Sequence, residues 1–136
     1  MKTIKMISVL FVLAGMSISC TGQTNKKEET SVKKADDVQV YYFHTSRRCA
    51  TCKAVETETK KAVEELYGDK VPFATYNIEK AEGEQKAEEL NVPGQALLIV
   101  SGDTKINITR EGFMNARSNP DKLKQIIKSK IDPLVD

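Results

Sequence analysis

The feature that most constrains the fold is the alternation of strand patterns with helix patterns along most of the chain. Residues 38–43 and 96–100 are short runs that are apolar on both faces, which is typical of buried strands. Residues 71–78 indicate a further strand, with Pro72 only at its start. Residues 105–109 alternate and follow a turn-forming segment, so they should form a hairpin with the preceding strand.

Helix patterns fill the spaces between these strands. The first helix should run from near Cys49 to Tyr67, because its apolar positions recur at spacings of three and four and Gly68 offers a C-terminal stop. A short, highly charged helix over residues 81–90 should end at the turn sequence of residues 91–94.

The last helix is marked by its N-terminal signals. Asn119 suits the N-cap, Pro120 suits the first helical position, and Asp121 is favourable to the helix dipole. Pro133 should end this helix. The resulting order β-α-β-α-β-β-α predicts an α/β fold with a mixed four-stranded sheet flanked by helices. The first two strands should be parallel, since a crossover helix joins them, and the last two antiparallel.

The N-terminus has the features of a targeting segment. Residues 1–19 have lysines at positions 2 and 5 and continue with an uncharged run that is too short to cross a bilayer but suits a secretory signal. Cys20 follows directly, where bacterial lipoproteins are lipidated, although Ser17 stands where leucine is usual. We therefore expect a lipoprotein signal peptide. An ordinary cleaved signal with a stray cysteine is the alternative.

Residues 20–36 are polar and contain almost nothing to bury, so they should be a flexible tether that holds a domain of residues 37–136 off a membrane. Loss of the signal removes two of the 21 basic residues and none of the 19 acidic ones, which leaves no net charge. This balance excludes a nucleic-acid binder that relies on a basic surface. The expected location is the bacterial cell envelope, periplasmic or surface-facing, where disulfides can persist.

A Cys-x-x-Cys pair carries the candidate chemistry. Its position after the first strand places Cys49 at a helix N-terminus, where backbone N–H groups and the helix dipole stabilise a thiolate. Arg47, Arg48 and Lys53 add positive charge, so the pKa of Cys49 should be lowered. Cys52 lies one helical turn further on. It should be more buried and should resolve the mixed disulfide that Cys49 forms.

Two structural alternatives exist for this pair, an inert disulfide that clips the helix start and half of a zinc site. The zinc alternative lacks ligands, since there is no second cysteine pair and His44 is the only histidine. No glycine-rich phosphate loop is present, so an organic cofactor would have to belong to a partner. The expected redox group is the disulfide itself, with no metal.

The element order and the position of the cysteine pair resemble the thioredoxin superfamily over residues 38–136. Within it, Tyr-Tyr-Phe-His at residues 41–44 and Arg-Cys-Ala-Thr-Cys-Lys at residues 48–53 are similar to a small bacterial family of nitrophenyl-compound nitroreductase subunits of the ArsF type. That family is associated with the reduction of nitroaromatic arsenicals to amino compounds. The resemblance implies a thioredoxin-like fold and a dithiol that is redox-active or binds metalloids.

Residues near the pair depart from the usual thioredoxin pattern. Arg48 replaces the tryptophan before the first cysteine, and no proline stands between the two cysteines. Phe43 occupies the position six residues before the first cysteine, where a buried acid is usual. His44 comes next along the strand and should point to the opposite face, either as a structural histidine or as a residue that tunes the redox or metal chemistry.

A third departure concerns the proline that faces the cysteines in thioredoxins. Pro93 lies too early in the chain for that position. A local insertion could bring it into contact with the cysteines, but a trans turn proline is the favoured interpretation. In that case Gln95 or Ala96 faces the sulfurs.

These features predict an envelope-facing thiol-disulfide oxidoreductase that exchanges disulfides with a partner protein or a reductase subunit. The direction of electron transfer stays open. The alternative is a dithiol module that binds a metalloid or Cu(I) and passes it on.

Overall fold

The computed structural model describes residues 37–136, so the predicted signal peptide, Cys20 and the tether lie outside the described residues. In chain order the elements are β1 (Val38–His44), α1 (Ala50–Tyr67), β2 (Phe73–Asn77), α2 (Ala81–Glu89), β3 (Ala96–Ser101), β4 (Thr104–Asn107), α3 (Thr109–Asn115) and α4 (Pro120–Val135). A short 3-10 turn, Gly68–Lys70, follows α1. Within this part of the chain no helix combines the length and the apolar character needed to cross a bilayer.

The four strands form one mixed sheet in the order β2-β1-β3-β4. β1 pairs in parallel with β2, and Val40 lies opposite Phe73. β3 pairs antiparallel with β1, and it also forms a hairpin with β4 in which Ser101 lies opposite Thr104. The predicted fold class and strand directions are therefore confirmed.

Helices cover the two faces of the sheet unequally. α1, α3 and α4 pack on one face, which contains the larger hydrophobic core, and α2 covers the other. Successive side chains of a strand point to opposite faces. Tyr42 of β1 is therefore buried in the larger core, whereas Tyr41 and Phe43 belong to the core beneath α2. His44 lies 5.9 Å from Tyr42 between ring centroids, on the face opposite Phe43 as predicted.

The first helix has both predicted ends. Cys49 is its N-cap, and Gly68 follows its last residue with a φ of 57°. This left-handed conformation is strained for residues with a Cβ, and it lets the Gly68 N–H bond to the Glu64 carbonyl oxygen.

The prediction of a strand over residues 105–109 is wrong at its end, and a helix was missed. β4 stops at Asn107, and α3 begins at Thr109. The Asn107 side-chain oxygen accepts hydrogen bonds from the backbone N–H and the hydroxyl of Thr109, at 3.0 and 2.6 Å. The Thr109 hydroxyl oxygen in turn accepts from the Leu97 N–H at 2.9 Å. These bonds replace the sheet ladder and turn the chain into a helix.

The prediction that Pro133 ends the last helix is also wrong, because α4 continues to Val135 with this proline inside it. Pro133 lies in the last turn, where its missing N–H removes only one helical bond. Burial of the Leu134 side chain stabilises the helical conformation beyond Pro133. The N-terminal prediction for α4 is confirmed, since the Asn119 side chain accepts from the Lys122 N–H at 3.1 Å.

Gly83 allows α2 to approach the end of β2 closely. A Cβ at this position would overlap the carbonyl oxygen of Asn77, a backbone atom that cannot rotate away. Asn77 also holds the loop after β1 through its side chain, which donates to the Ser46 hydroxyl at 3.0 Å. The packing of α2 is thereby linked to the loop that leads to Cys49.

We expect Gly83→Ala to lower the free energy of unfolding by about 1–3 kcal/mol, because α2 must move away from β2 to relieve the overlap. Urea denaturation of the purified protein measures this. Gly94→Ala is the matched control, since a Cβ there meets nothing within 4 Å. Equal stabilities of the two variants would contradict the close approach of α2.

Candidate active site

Cys49 lies where β1 ends and α1 begins. Its backbone is extended, with φ −74° and ψ 167°, and its sulfur accepts a hydrogen bond from the Cys52 N–H at 3.2 Å. A helix leaves its first N–H groups without partners, and a serine, threonine or aspartate oxygen normally accepts from them. Here a thiol sulfur takes that position, so the helix start is bonded directly to the candidate nucleophile.

The two cysteines differ sharply in exposure. Cys49 is exposed, whereas Cys52 is 5% exposed. Both are free, and their sulfurs are 2.9 Å apart. The outer sulfur is open to a partner, and the inner sulfur is largely shielded from solvent.

The thiol groups have opposite pKa shifts. The pKa of Cys49 is lowered, chiefly by the hydrogen bond from the Cys52 thiol and then by the Cys52 N–H, with a smaller contribution from the Thr51 N–H. Burial raises the pKa of Cys52, and its hydrogen bond to Cys49 adds to the rise. Cys49 is therefore the thiol of the pair that ionises first, and Cys52 is the one that keeps its proton to higher pH.

The direction of the Cys49 shift agrees with the prediction, and so does the contribution of backbone N–H groups, but the strongest contribution is a side-chain hydrogen bond that was not predicted. Hydrogen bonds account for the lowered pKa, rather than the cations that neighbour Cys49 in sequence. Arg47 and Lys53 are exposed. Arg48 forms an ion pair with Glu56, and its guanidinium carbon lies 5.9 Å from the centre of the Tyr42 ring.

A buried tyrosine that the sequence analysis did not identify lies beneath the cysteine pair. Tyr42 is fully buried, and its hydroxyl donates to the Cys52 carbonyl oxygen at 3.1 Å. Counting back six residues from Cys49 leads to Phe43, but this side chain belongs to the core on the other face of the sheet. The alternation of β1 was the signal that could have identified Tyr42 as the residue facing α1.

The loop after β1 is fixed to the end of β2. The Ser46 N–H donates to the Glu79 carboxylate at 2.8 Å, and this hydrogen bonding lowers the pKa of Glu79. His44 is 9% exposed, and its Nδ1 donates to the Thr45 carbonyl oxygen at 2.9 Å. This bond ties the histidine to the loop backbone.

Gln95 connects the opposite rim to the sulfurs. Its amide nitrogen donates to the Thr45 hydroxyl at 3.1 Å, and its amide oxygen lies 3.9 Å from the Cys52 sulfur. Ala96 is buried in the core beneath α2. All peptide bonds of residues 37–136 are trans, so Pro93 is the trans proline that the sequence favoured, and it lines a groove with Leu90 and Val92. Of these loop residues, the structure brings Gln95 to the cysteine pair.

Residues 37–136 contain no group of three or more His, Cys, Asp or Glu side chains that could hold a metal ion. Two cysteine sulfurs are the soft donors that the site offers.

Comparison with solved structures shows a thioredoxin-like fold. The oxidised thioredoxin O2 from Arabidopsis thaliana is 17% identical, with a TM-score of 0.51 over 71% of this chain and 78% of that one. Thioredoxin f2 from Chlamydomonas reinhardtii is 23% identical, with a TM-score of 0.48 over 70% of this chain and 80% of that one. A malarial protein is 20% identical, with a TM-score of 0.48 over 68% of this chain and 94% of that one. No family model and no curated protein sequence matches the chain.

We expect the alkylation of Cys49 by iodoacetamide to have a pH midpoint below the ordinary cysteine value of about 8.5. As the pH falls through the lowered pKa, the thiolate gains a proton and the rate drops. Cys52→Ala removes the strongest hydrogen bond to Cys49 and should move the midpoint upward. Mass spectrometry of the alkylated peptide, in a Cys20→Ser background, measures the rates.

Cys52→Ser is the matched control, because its hydroxyl still donates to the Cys49 sulfur. We expect its midpoint to lie between those of the unchanged pair and of Cys52→Ala. A midpoint that is identical in all three proteins would show that the hydrogen bond from residue 52 has no role.

Proposed function

We propose that this protein is a thiol-disulfide oxidoreductase in which Cys49 attacks and Cys52 resolves. The observation that carries this proposal is the asymmetry of the pair. One sulfur is exposed and has a lowered pKa, and the other is buried 2.9 Å behind it. A thiolate is the nucleophile of disulfide exchange, and an inert structural disulfide would need neither exposure nor a favoured thiolate.

The exchange proceeds in two steps. The Cys49 thiolate attacks one sulfur of the partner disulfide, which forms a mixed disulfide and releases one partner thiolate. Cys52 loses its proton and attacks the Cys49 sulfur, which breaks the mixed disulfide and releases the second partner thiolate. The dithiol loses two electrons and the partner gains them, and the two released thiolates take up two protons. The reverse sequence transfers the disulfide to the partner.

The partner is a protein disulfide or dithiol, or a reductase subunit, that docks on the rim around Cys49. Gln95 forms one side of this rim, and its amide nitrogen donates across it to the Thr45 hydroxyl. An amide at this position can hydrogen-bond to the backbone of a docked polypeptide. The redox group is the cysteine pair itself, and any flavin or nicotinamide belongs to the partner.

The protein works in the bacterial cell envelope, anchored by lipid on Cys20 and facing the periplasm or the surface. This proposal rests on the signal-like residues 1–19 and on the polar residues 20–36, which provide a spacer. The reduction potential sets the direction. A value near about −270 mV makes the pair a reductant, and one near about −120 mV makes it an oxidant.

A narrower role is that of the redox subunit of a system that reduces nitroaromatic compounds or arsenicals. It rests on the similarity of residues 41–44 and 48–53 to the ArsF-type subunits. In this role the dithiol delivers two electrons at a time to a reductase subunit that carries out the reduction.

The second candidate function is a binding module for a trivalent metalloid or Cu(I). Two free sulfurs 2.9 Å apart favour it, because thiolates are preferred ligands of soft ions. Under this alternative the loss of either cysteine weakens metalloid binding, and no covalent protein partner forms.

The decisive experiment compares single cysteine variants in a Cys20→Ser background, so that the third cysteine cannot form disulfides. Cys52→Ser should accumulate a mixed disulfide through Cys49 when it is mixed with a disulfide-bonded protein such as insulin. Cys49→Ser should form none and should have no reductase activity. Non-reducing electrophoresis after acid quenching detects the trapped species.

Failure of Cys52→Ser to trap any protein disulfide, together with tight binding of arsenite by the unchanged pair, would falsify the exchange mechanism and favour the binding module. Trapping of a partner by Cys52→Ser supports the oxidoreductase, provided that arsenite binds the unchanged pair too weakly to compete with a partner disulfide.

A further inference from the structure

We infer that Tyr42 is a positioning residue for the resolving step. Its hydroxyl holds the first turn of α1, and it then donates a hydrogen bond to the Cys52 sulfur as that sulfur becomes a thiolate. This inference rests on the proposed function, and it assigns a role to the tyrosine that lies beneath the resolving cysteine.

The geometry places Tyr42 beneath Cys52. Tyr42 is fully buried, and its hydroxyl donates to the Cys52 carbonyl oxygen at 3.1 Å. Cys52 is itself 5% exposed and belongs to the first turn of α1. Both residues are therefore screened from water, and a charge that forms on this sulfur depends on donors of the protein.

The resolving cysteine needs such a donor. Its attack requires a thiolate, but burial raises the pKa of Cys52. The Tyr42 hydroxyl acts in the opposite direction and lowers the pKa of Cys52. Burial also raises the pKa of Tyr42, so the phenol keeps its proton and acts as a donor rather than as a base.

Arg48 strengthens Tyr42 as a donor. Its guanidinium carbon lies 5.9 Å from the centre of the phenol ring, and the ion pair with Glu56 fixes it there. A nearby positive charge favours the phenolate form, so it makes the hydroxyl more acidic and a stronger hydrogen-bond donor, and Arg48 opposes the rise in the pKa of Tyr42. The position of Arg48 thus places its charge beside the tyrosine ring.

In the resolving step the Cys52 proton leaves to water or to the departing partner thiolate. The Cys52 sulfur then forms a bond with the Cys49 sulfur, and the bond from Cys49 to the partner breaks. The Tyr42 proton stays on its oxygen throughout and only changes its hydrogen-bond acceptor, from the carbonyl oxygen to the sulfur.

The test uses dithiobis(nitrobenzoate), which releases one coloured thiolate when Cys49 attacks and a second when Cys52 resolves. In the full chain with Cys20→Ser, we expect Tyr42→Phe to leave the first release unchanged. It should slow the second release at pH 7 about tenfold, since a hydrogen bond to a charged group is lost. The pH midpoint of the second release should move upward. Stopped-flow absorbance from pH 6 to 10 records both steps.

Tyr41→Phe is the matched control. This neighbouring tyrosine also loses only a hydroxyl, and Lys86 lies 5.3 Å from the centre of its ring, but it faces α2 and bonds to Gln39. Both releases should match those of the parent protein. Arg48→Gln should slow the second release less than Tyr42→Phe does.

Equal second-release profiles in Tyr42→Phe and Tyr41→Phe would overturn the inference, and so would an equal slowing of both releases in Tyr42→Phe, which indicates a general structural role. The proposed function fails separately. If the parent protein releases both equivalents but reduces no protein disulfide, the assignment of Tyr42 holds and the oxidoreductase proposal does not.

Discussion

The hydrogen bond from the Cys52 N–H to the Cys49 sulfur is the interaction on which the site depends. It caps α1 and stabilises the thiolate at the same time, so the helix start and the nucleophile cannot be separated. The bond also sets the spacing of the pair, because the N–H that reaches an N-cap side chain comes from the second or third helical residue. Cys52 is the third residue of α1, and its side chain is thereby brought to 2.9 Å from Cys49 and beneath it.

The alternation of β1 determines what surrounds this capped helix. The strand is interior in the sheet and is buried on both faces, so its apolar side chains alternate between two different cores. Tyr42 faces α1 and can reach Cys52, while Phe43 faces α2 and cannot. Thiolate chemistry near Cys52 is therefore supported by a neutral phenol, which supplies a proton for hydrogen bonding without the charge that a buried carboxylate would bring.

The sequence predicted the sheet and the cysteine pair well, because both depend on local patterns. Apolar runs identified the strands, and the position of Cys49 between strand and helix indicated a helix N-terminus. The sequence predicted the surroundings of the cysteine pair less well. The start of α3 depends on bonds between Asn107, Thr109 and the distant Leu97, and the partner of Arg48 is set by how α1 packs on β1. A linear count from Cys49 missed Tyr42, since the length of a loop does not fix which face of a strand a residue occupies.

The hydrogen bonds to the Cys49 sulfur also bear on the direction of electron transfer. They act on the Cys49 thiolate, which exists only in the reduced form, so they stabilise the dithiol state relative to the disulfide. Each pKa unit is worth about 1.4 kcal/mol, which corresponds to about 30 mV for a two-electron couple. This stabilisation counts only to the extent that the pKa of Cys49 lies below the ambient pH. Burial of Cys52 has no such effect while its proton stays on, because a neutral thiol and a disulfide are both tolerated by an apolar surrounding. The capping interaction thus shifts the pair toward the oxidising end relative to an uncapped dithiol.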